Sequence, residues 1–361
     1  MKLLALLPLL ALNVVHQDLV ERFQPEKTWL VVVGALESKQ YTSFPKTGRR
    51  DQRLVETLKS RGVPDKQILL LQDAGATLKQ VLQVLEKFYA KAQPDHLLIF
   101  YFCGHGYLDE AGRGHLALYD KPLSITQLIN AIELGYKGYK VFIALDSPRS
   151  SELIRELNGR RTAHHFAAVA SSSSSQLNST RWTFTDALID VFKGTPCADQ
   201  NGDGQIDLRE LCKFLAEDVE IAEEQLVSYT TQGDFRYDFI FSDVAYKRSN
   251  RRQCERVTTA KSGGMVARIV SVEGDLCKLD FLGTDENDAT TVQVSELMPV
   301  KPVSYEVGRI VEVNWRGGWY LARILQVRGG IHQVHYEGYS KVWDEWVSSR
   351  RIRPRQGEKQ W

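Results

Sequence analysis

Five continuous apolar runs set the framework of this chain: Trp29–Gly34, Gln67–Leu71, Leu97–Phe102, Val141–Leu145 and Phe166–Ala170. A run that is apolar at nearly every position suits a strand buried on both faces. Helical spacing fills the gaps. Asp51 to Arg61 gathers Leu54, Val55 and Leu58, and Thr77 to Ala90 gathers Leu78, Val81, Leu82, Val84 and Leu85. Strands alternating with helices predict an α/β domain over about residues 27–245, a mostly parallel sheet flanked by helices.

The pattern changes beyond it. Residues 246–258 are polar and basic, which suits a linker. Short strand-like runs separated by Gly, Asp and Asn follow, as in small β-barrels. They contain a repeat. Met265–Gly274 (MVARIVSVEG) parallels Tyr320–Gly329 (YLARILQVRG), and both copies reach a Val-Ser and then a Pro. Two tandem modules, 259–302 and 303–355, are expected.

The chain has 361 residues, 43% hydrophobic and 25% charged, with net charge +1. Such a balance gives no electrostatic footprint for nucleic acid. The basic tail Arg350–Arg355 reads as a solvated terminus, and no phosphate loop has the required spacing. Cys103, Cys197, Cys212, Cys254 and Cys277 are odd in number, widely spaced and without CxxC, which argues against a dense disulfide framework and a zinc site. The N-terminus, MKLLALLPLLALNVV, has one lysine before an apolar run too short to span a bilayer. Residues 1–20 have the layout of a secretory signal peptide, without a clear small-x-small cleavage triplet. The two readings are an exported chain, periplasmic or extracellular, and a cytoplasmic chain with an apolar first helix. Neither puts a transmembrane span in the mature chain.

Asp199–Glu210 (DQNGDGQIDLRE) fills the slots of an EF-hand loop. Ca²⁺ takes six to eight oxygen ligands. Asp199, Asn201, Asp203, the Gln205 carbonyl, Asp207 and Glu210 would supply them, with Gly204 at the sharp turn. Calcium is the cofactor this pattern implies.

His105 follows one apolar run, in Phe100–Gly106 (FYFCGHG), and Asp146 ends another, in Val141–Ser150 (VFIALDSPRS). Polar groups at the carboxyl ends of parallel strands mark functional sites. Taken alone, His105 could equally be a turn residue between glycines. Over about residues 27–242 the chain resembles the caspase-like cysteine peptidases, the metacaspase and bacterial branch in particular. The family's His-Gly pair corresponds to His105–Gly106. Its Asp-x-Cys-His-Ser-Gly motif corresponds to the segment opening at Asp146. The small, Ser-rich Ala170–Ser175 and the helix opening at Phe184 also resemble the family. Bacterial members often carry an Asp/Gly-rich loop where Asp199–Glu210 stands. The resemblance makes Asp146 a pocket residue for a basic side chain; a capping carboxylate is the plainer alternative. It puts the cysteine nucleophile at Pro148, and proline supplies none. Ser147, Ser150 and Cys103 are the candidates for a displaced nucleophile.

Trp315, Trp319, Tyr320, Tyr336, Tyr339, Trp343 and Trp346 crowd the last module. Its segment His335–Val347 (HYEGYSKVWDEWV) resembles the Tudor, Agenet and chromo-barrel modules, as does Trp319–Arg323 (WYLAR). That resemblance makes Tyr320, Tyr336, Tyr339 and Trp343 an aromatic cage for a cation such as methylated lysine. A small barrel with exposed aromatics is the alternative. The first module lacks these rings and reads as a packing copy. The sequence thus leads first to a calcium-binding pseudo-peptidase with a Tudor-like binding module and a basic or methyl-lysine peptide partner. The rivals are an active Ca²⁺-dependent peptidase that cuts after basic residues with a displaced nucleophile, and a methyl-lysine reader.

Overall fold

The computed structural model describes residues 20–171, 181–248, 250, 252–284, 290–300, 303–328 and 330–355. The signal-like segment, but for Val20, and Ser172–Ser175 of the Ser-rich stretch lie outside them. Along the chain run β1 (Thr28–Ala35), α1 (Arg50–Ser60), β2 (Ile68–Gln72), α2 (Leu78–Lys87) and β3 (Leu97–Gly104). A small antiparallel sheet follows, β4 (Gly106–Leu108), β5 (Gly114–Ala117) and β6 (Pro122–Ser124). Next come α3 (Ile125–Gly135), β7 (Lys140–Asp146), α4 (Glu152–Asn158), β8 (His165–Ala170) and α5 (Thr183–Phe192). Then β9 (Gln205–Asp207), α6 (Leu208–Glu223), β10 (Ser228–Gln232) and β11 (Ile240–Asp243) complete the domain.

The main sheet has the order β10-β8-β7-β3-β1-β2. Only β10 runs antiparallel to its neighbour. Alternate residues feed two cores. Leu30, Val32, Ile99, Tyr101 and Phe142 pack under α1, α5 and α6. Val31, Val33, Leu98, Phe100 and Ile143 pack under α2, α3 and α4. This is why the strands read as unbroken apolar runs.

The two C-terminal sheets share one topology. β12 (Arg256–Thr259), β13 (Ala267–Glu273), β14 (Leu276–Phe281), β15 (Thr290–Gln293) and β16 (Leu297–Pro299) lie in the order β15-β14-β13-β12-β16. β17 (Ile310–Trp315), β18 (Gly318–Arg328), β19 (Ile331–Tyr336), β20 (Glu345–Ser348) and β21 (Ile352–Pro354) repeat it as β20-β19-β18-β17-β21. β12 begins inside the segment expected as a linker, because Val257 belongs to the first module's core. One disulfide, Cys197–Cys254, joins the α/β domain to the root of that module. Cys103, Cys212 and Cys277 are buried thiols.

Both modules dock on α6. Arg256 and Arg268 reach Asp218, whose side chain is fully buried, and Arg268 also pairs with Asp190 of α5. Closer to the C-terminal end of the same helix, Glu220 accepts the Gly330 N–H, and Glu224, its C-cap, holds Arg351 and the Ser348 hydroxyl.

Candidate functional site

β3 and β7 are parallel neighbours, and their register sets Cys103 opposite Asp146. His105 and Pro148 each stand two residues further on, at matching strand ends. The two segments touch. A Cβ on Gly106 would lie 2.2 Å from the Pro148 carbonyl oxygen. Gly104 adopts φ +151°, and a Cβ there would meet the Ala35 carbonyl at 2.6 Å. Close packing of three strand ends therefore requires both glycines around His105.

The His105 ring stacks between Phe44, with centroids 4.2 Å apart, and Tyr41, at 5.2 Å. Its Nε2–H donates to the Thr42 carbonyl at 2.8 Å. The loop between β1 and α1 thus takes up the imidazole. The side chains weighed as replacements for a cysteine at 148 are shut from solvent. Cys103 is 2% exposed, Ser147 4% and Ser150 1%. Burial pushes the Cys103 thiol well up, and Asp51 and Asp146 add to the shift, so no thiolate forms there near neutrality.

Asp146 accepts a hydrogen bond from the Thr185 hydroxyl at 2.6 Å, and that hydroxyl lies 2.6 Å from the Tyr101 hydroxyl. Desolvation pushes the Asp146 carboxyl up to about 6, against the Thr185 and Ser171 hydroxyls, which lower it. Sequence reasoning missed Thr185; a hydroxyl in the first turn of α5 was its only trace. It also missed Arg49, which bridges Asp51 and Asp73 at the ends of β1 and β2 and donates to the Gly34 carbonyl.

The 199–210 loop folds on its own amides. Asp199 accepts from the Gly202 and Gly204 N–H groups, at 2.7 and 3.1 Å. Asp203 accepts from Gln205, and Asn201 from Asp203. Gly204 has φ +86°. Asp207 caps α6 and forms a capping box with Glu210, whose carboxylate also takes the Gln200 and Asn201 amides. Burial raises the Glu210 pKa, against these amide bonds. Ile206 is fully buried, and β9 pairs with β11. The donor set is all oxygen, as calcium requires. Among the described residues no group of three or more His, Cys, Asp or Glu side chains lies close enough to hold a metal ion.

In the last module, Tyr320, Tyr336 and Tyr339 meet edge to face, with centroids 6.2–6.3 Å apart. Trp315 joins Tyr320 to Trp343, at 6.2 Å from each. Trp315, Tyr339 and Trp343 are 37%, 51% and 54% exposed, and the Arg316 guanidinium lies over the Trp315 ring. Tyr336 differs from the expected cage member: it is 7% exposed and its hydroxyl donates to Glu345 at 2.6 Å. It is a floor rather than a wall. Trp315 completes the ring of aromatics; the apolar alternation Val311, Val313, Trp315 along β17 was its signal.

Residues 305–354 match the family model described as Tudor-knot, the RNA binding activity-knot of a chromodomain. No curated protein matches the chain. Among solved structures, the chain is similar to a protein of Geobacter sulfurreducens, with TM-score 0.45 and 14% identity, over 60% of this chain and 100% of that one. It is also similar to caspase-1 from Spodoptera frugiperda, with TM-score 0.42 and 15% identity, over 64% of this chain and 94% of that one. No helix among the described residues is long and apolar enough to cross a membrane.

Proposed function

We propose that this chain is a catalytically inactive caspase-like protein that binds calcium and presents a Tudor-type module to a partner. The observation that carries the inactivity is the pair of matched strand ends. His105 is taken up by Thr42 and two aromatic rings, and the position facing it across the strand ends is Pro148. A peptidase of this kind needs an activated nucleophile beside its base. Every candidate substitute is buried.

Asp146 remains an anionic group at the mouth of the sheet. It suits a basic peptide side chain that binds without being cut. Asp199, Asn201, Asp203, the Gln205 carbonyl, Asp207 and Glu210 would hold Ca²⁺, which would cross-link the loop to the first turn of α6. The box of Trp315, Tyr320, Tyr339 and Trp343, floored by Tyr336, suits a methylated ammonium group. The RNA binding named in the family description is the rival ligand class. The exposed rings of Trp315 and Trp319, with Arg316 over the first and Arg353 over the second, favour it as a second reading.

The test is hydrolysis of fluorogenic peptides with Arg, Lys or Asp before the scissile bond, with and without Ca²⁺. The native chain is expected to be silent. Activity gained in Pro148→Cys would show that only the nucleophile is missing. Turnover by the native chain that His105→Ala abolishes would overturn the inactive reading.

A further inference from the structure

The segment between β11 and β12 does more than connect domains. Four of its residues bond to the 199–210 loop or to the residues that lead into it. Val244 N–H donates to the Gly204 carbonyl at 2.9 Å, and Ala245 N–H to the Gly194 carbonyl at 2.8 Å. The Arg248 guanidinium donates to the Pro196 carbonyl at 2.9 Å and to the Asp199 carbonyl at 3.2 Å. Cys254 then closes a disulfide with Cys197, two residues before Asp199. The Cys254 N–H also donates to the Ile269 carbonyl of β13, so the bridge is anchored in the first module. The loop is held from behind by β9–β11 pairing and from the side by this strap.

We propose that the strap is part of the calcium site: Arg248 and the Cys197–Cys254 bridge position Asp199 and set the affinity of the loop. The inference rests on the calcium reading above. Its physical basis is preorganisation, since ordering already supplied by the fold need not be supplied by the ion. Two effects of Arg248 have opposite signs, which makes the residue informative. Its positive charge repels a cation, so by Coulomb's law alone its removal would tighten calcium binding. Its hydrogen bonds fix the Asp199 backbone, so as a positioning residue its removal weakens binding. The geometry points to the second. The bridge carries no charge and acts in one direction only.

The experiment is calorimetric titration of the full chain with CaCl₂ at fixed ionic strength. It compares the native oxidised protein, the same protein reduced with a phosphine, Cys254→Ser and Arg248→Met. Far-UV circular dichroism of each calcium-free form establishes that the fold persists. Reduction and Arg248→Met are each expected to raise Kd about tenfold, equivalent to about 1.4 kcal/mol. Cys254→Ser should match the reduced native protein. Should Cys254→Ser not fold, the reduced native protein and Arg248→Met carry the comparison. Equal Kd values in oxidised and reduced protein, or tighter binding by Arg248→Met, would overturn the inference while leaving calcium binding intact. No calcium heat from the native oxidised chain at millimolar ion would overturn the calcium reading itself, and the strap's role with it.

Discussion

At the strand ends of β3 and β7, under the proposed function, Pro148 supplies no nucleophile and the binding of a basic side chain falls to Asp146. Its carboxyl is pushed up to about 6 by burial. A cationic ligand pairs with the ionised form only, so affinity for a basic peptide should rise as pH climbs from 5 to 7 and level off above that. Fluorescence anisotropy of a labelled Arg-containing peptide would measure this, and Asp146→Asn should remove the slope. An affinity that is flat with pH in the native chain would place the ligand elsewhere. The residues legible in the sequence were those fixed by local spacing: the glycines around His105, the proline after Asp146, and the carboxylates of 199–210. The residues that give them their properties were not. Thr42 and Thr185 act on His105 and Asp146 across 63 and 39 positions of chain. No local pattern encodes such a pairing.

Among the elements, α6 joins the 199–210 loop to both C-terminal modules. Its first turn closes the candidate calcium loop through Asp207 and Glu210, and its last two turns hold both C-terminal modules. The motif legible in the sequence ends at Glu210, in the first turn of this helix, and the buried Asp218 and Glu220 beyond it have no local explanation. They answer arginines and amides from modules that arrive later in the chain. Arg268 is the main clasp. It is 6% exposed, faces Asp190, Asp218 and Asp280, and stacks on Phe214. Removing one member of a buried ionic cluster leaves the others uncompensated, at a cost of about 3–5 kcal/mol. Arg268→Ala should therefore lower the urea midpoint and open the first module to limited proteolysis at a protease concentration that spares the native chain. An unchanged midpoint would mean that Arg256 alone satisfies Asp218. The Cys197–Cys254 bridge works on the unfolded chain instead. A loop of 57 residues contributes about 4 kcal/mol in the chain-entropy account. The odd cysteine count excluded a dense framework and left a single bridge unspecified, because pairing depends on which elements the fold brings together.

At the scale of the whole molecule, the joints between domain and modules contain carboxyls held in a low-dielectric setting. Asp186, which pairs with Arg50, is pushed up to about 6, and Glu220, which receives the Gly330 amide, up to about 7, desolvation leading in both. A carboxyl raised in the folded state leaves the unfolded chain to ionise first. Its contribution is therefore full below pH 4 and is lost as pH rises through the folded value. His332, lowered by burial, acts with the opposite slope, since the unfolded chain takes up its proton near pH 6.5. The net trend of stability with pH thus mixes two signs, and the difference between variants isolates one. Glu220→Gln keeps an acceptor for the Gly330 N–H and removes the charge. Its melting temperature should equal that of the native chain near pH 4 and exceed it increasingly toward pH 8. The excess there is worth about 2–3 kcal/mol for a shift of this size. A difference that stays constant from pH 5 to 8 would show that Glu220 titrates as it does in the unfolded chain, and that the second module is not packed tightly enough on α6 to desolvate it.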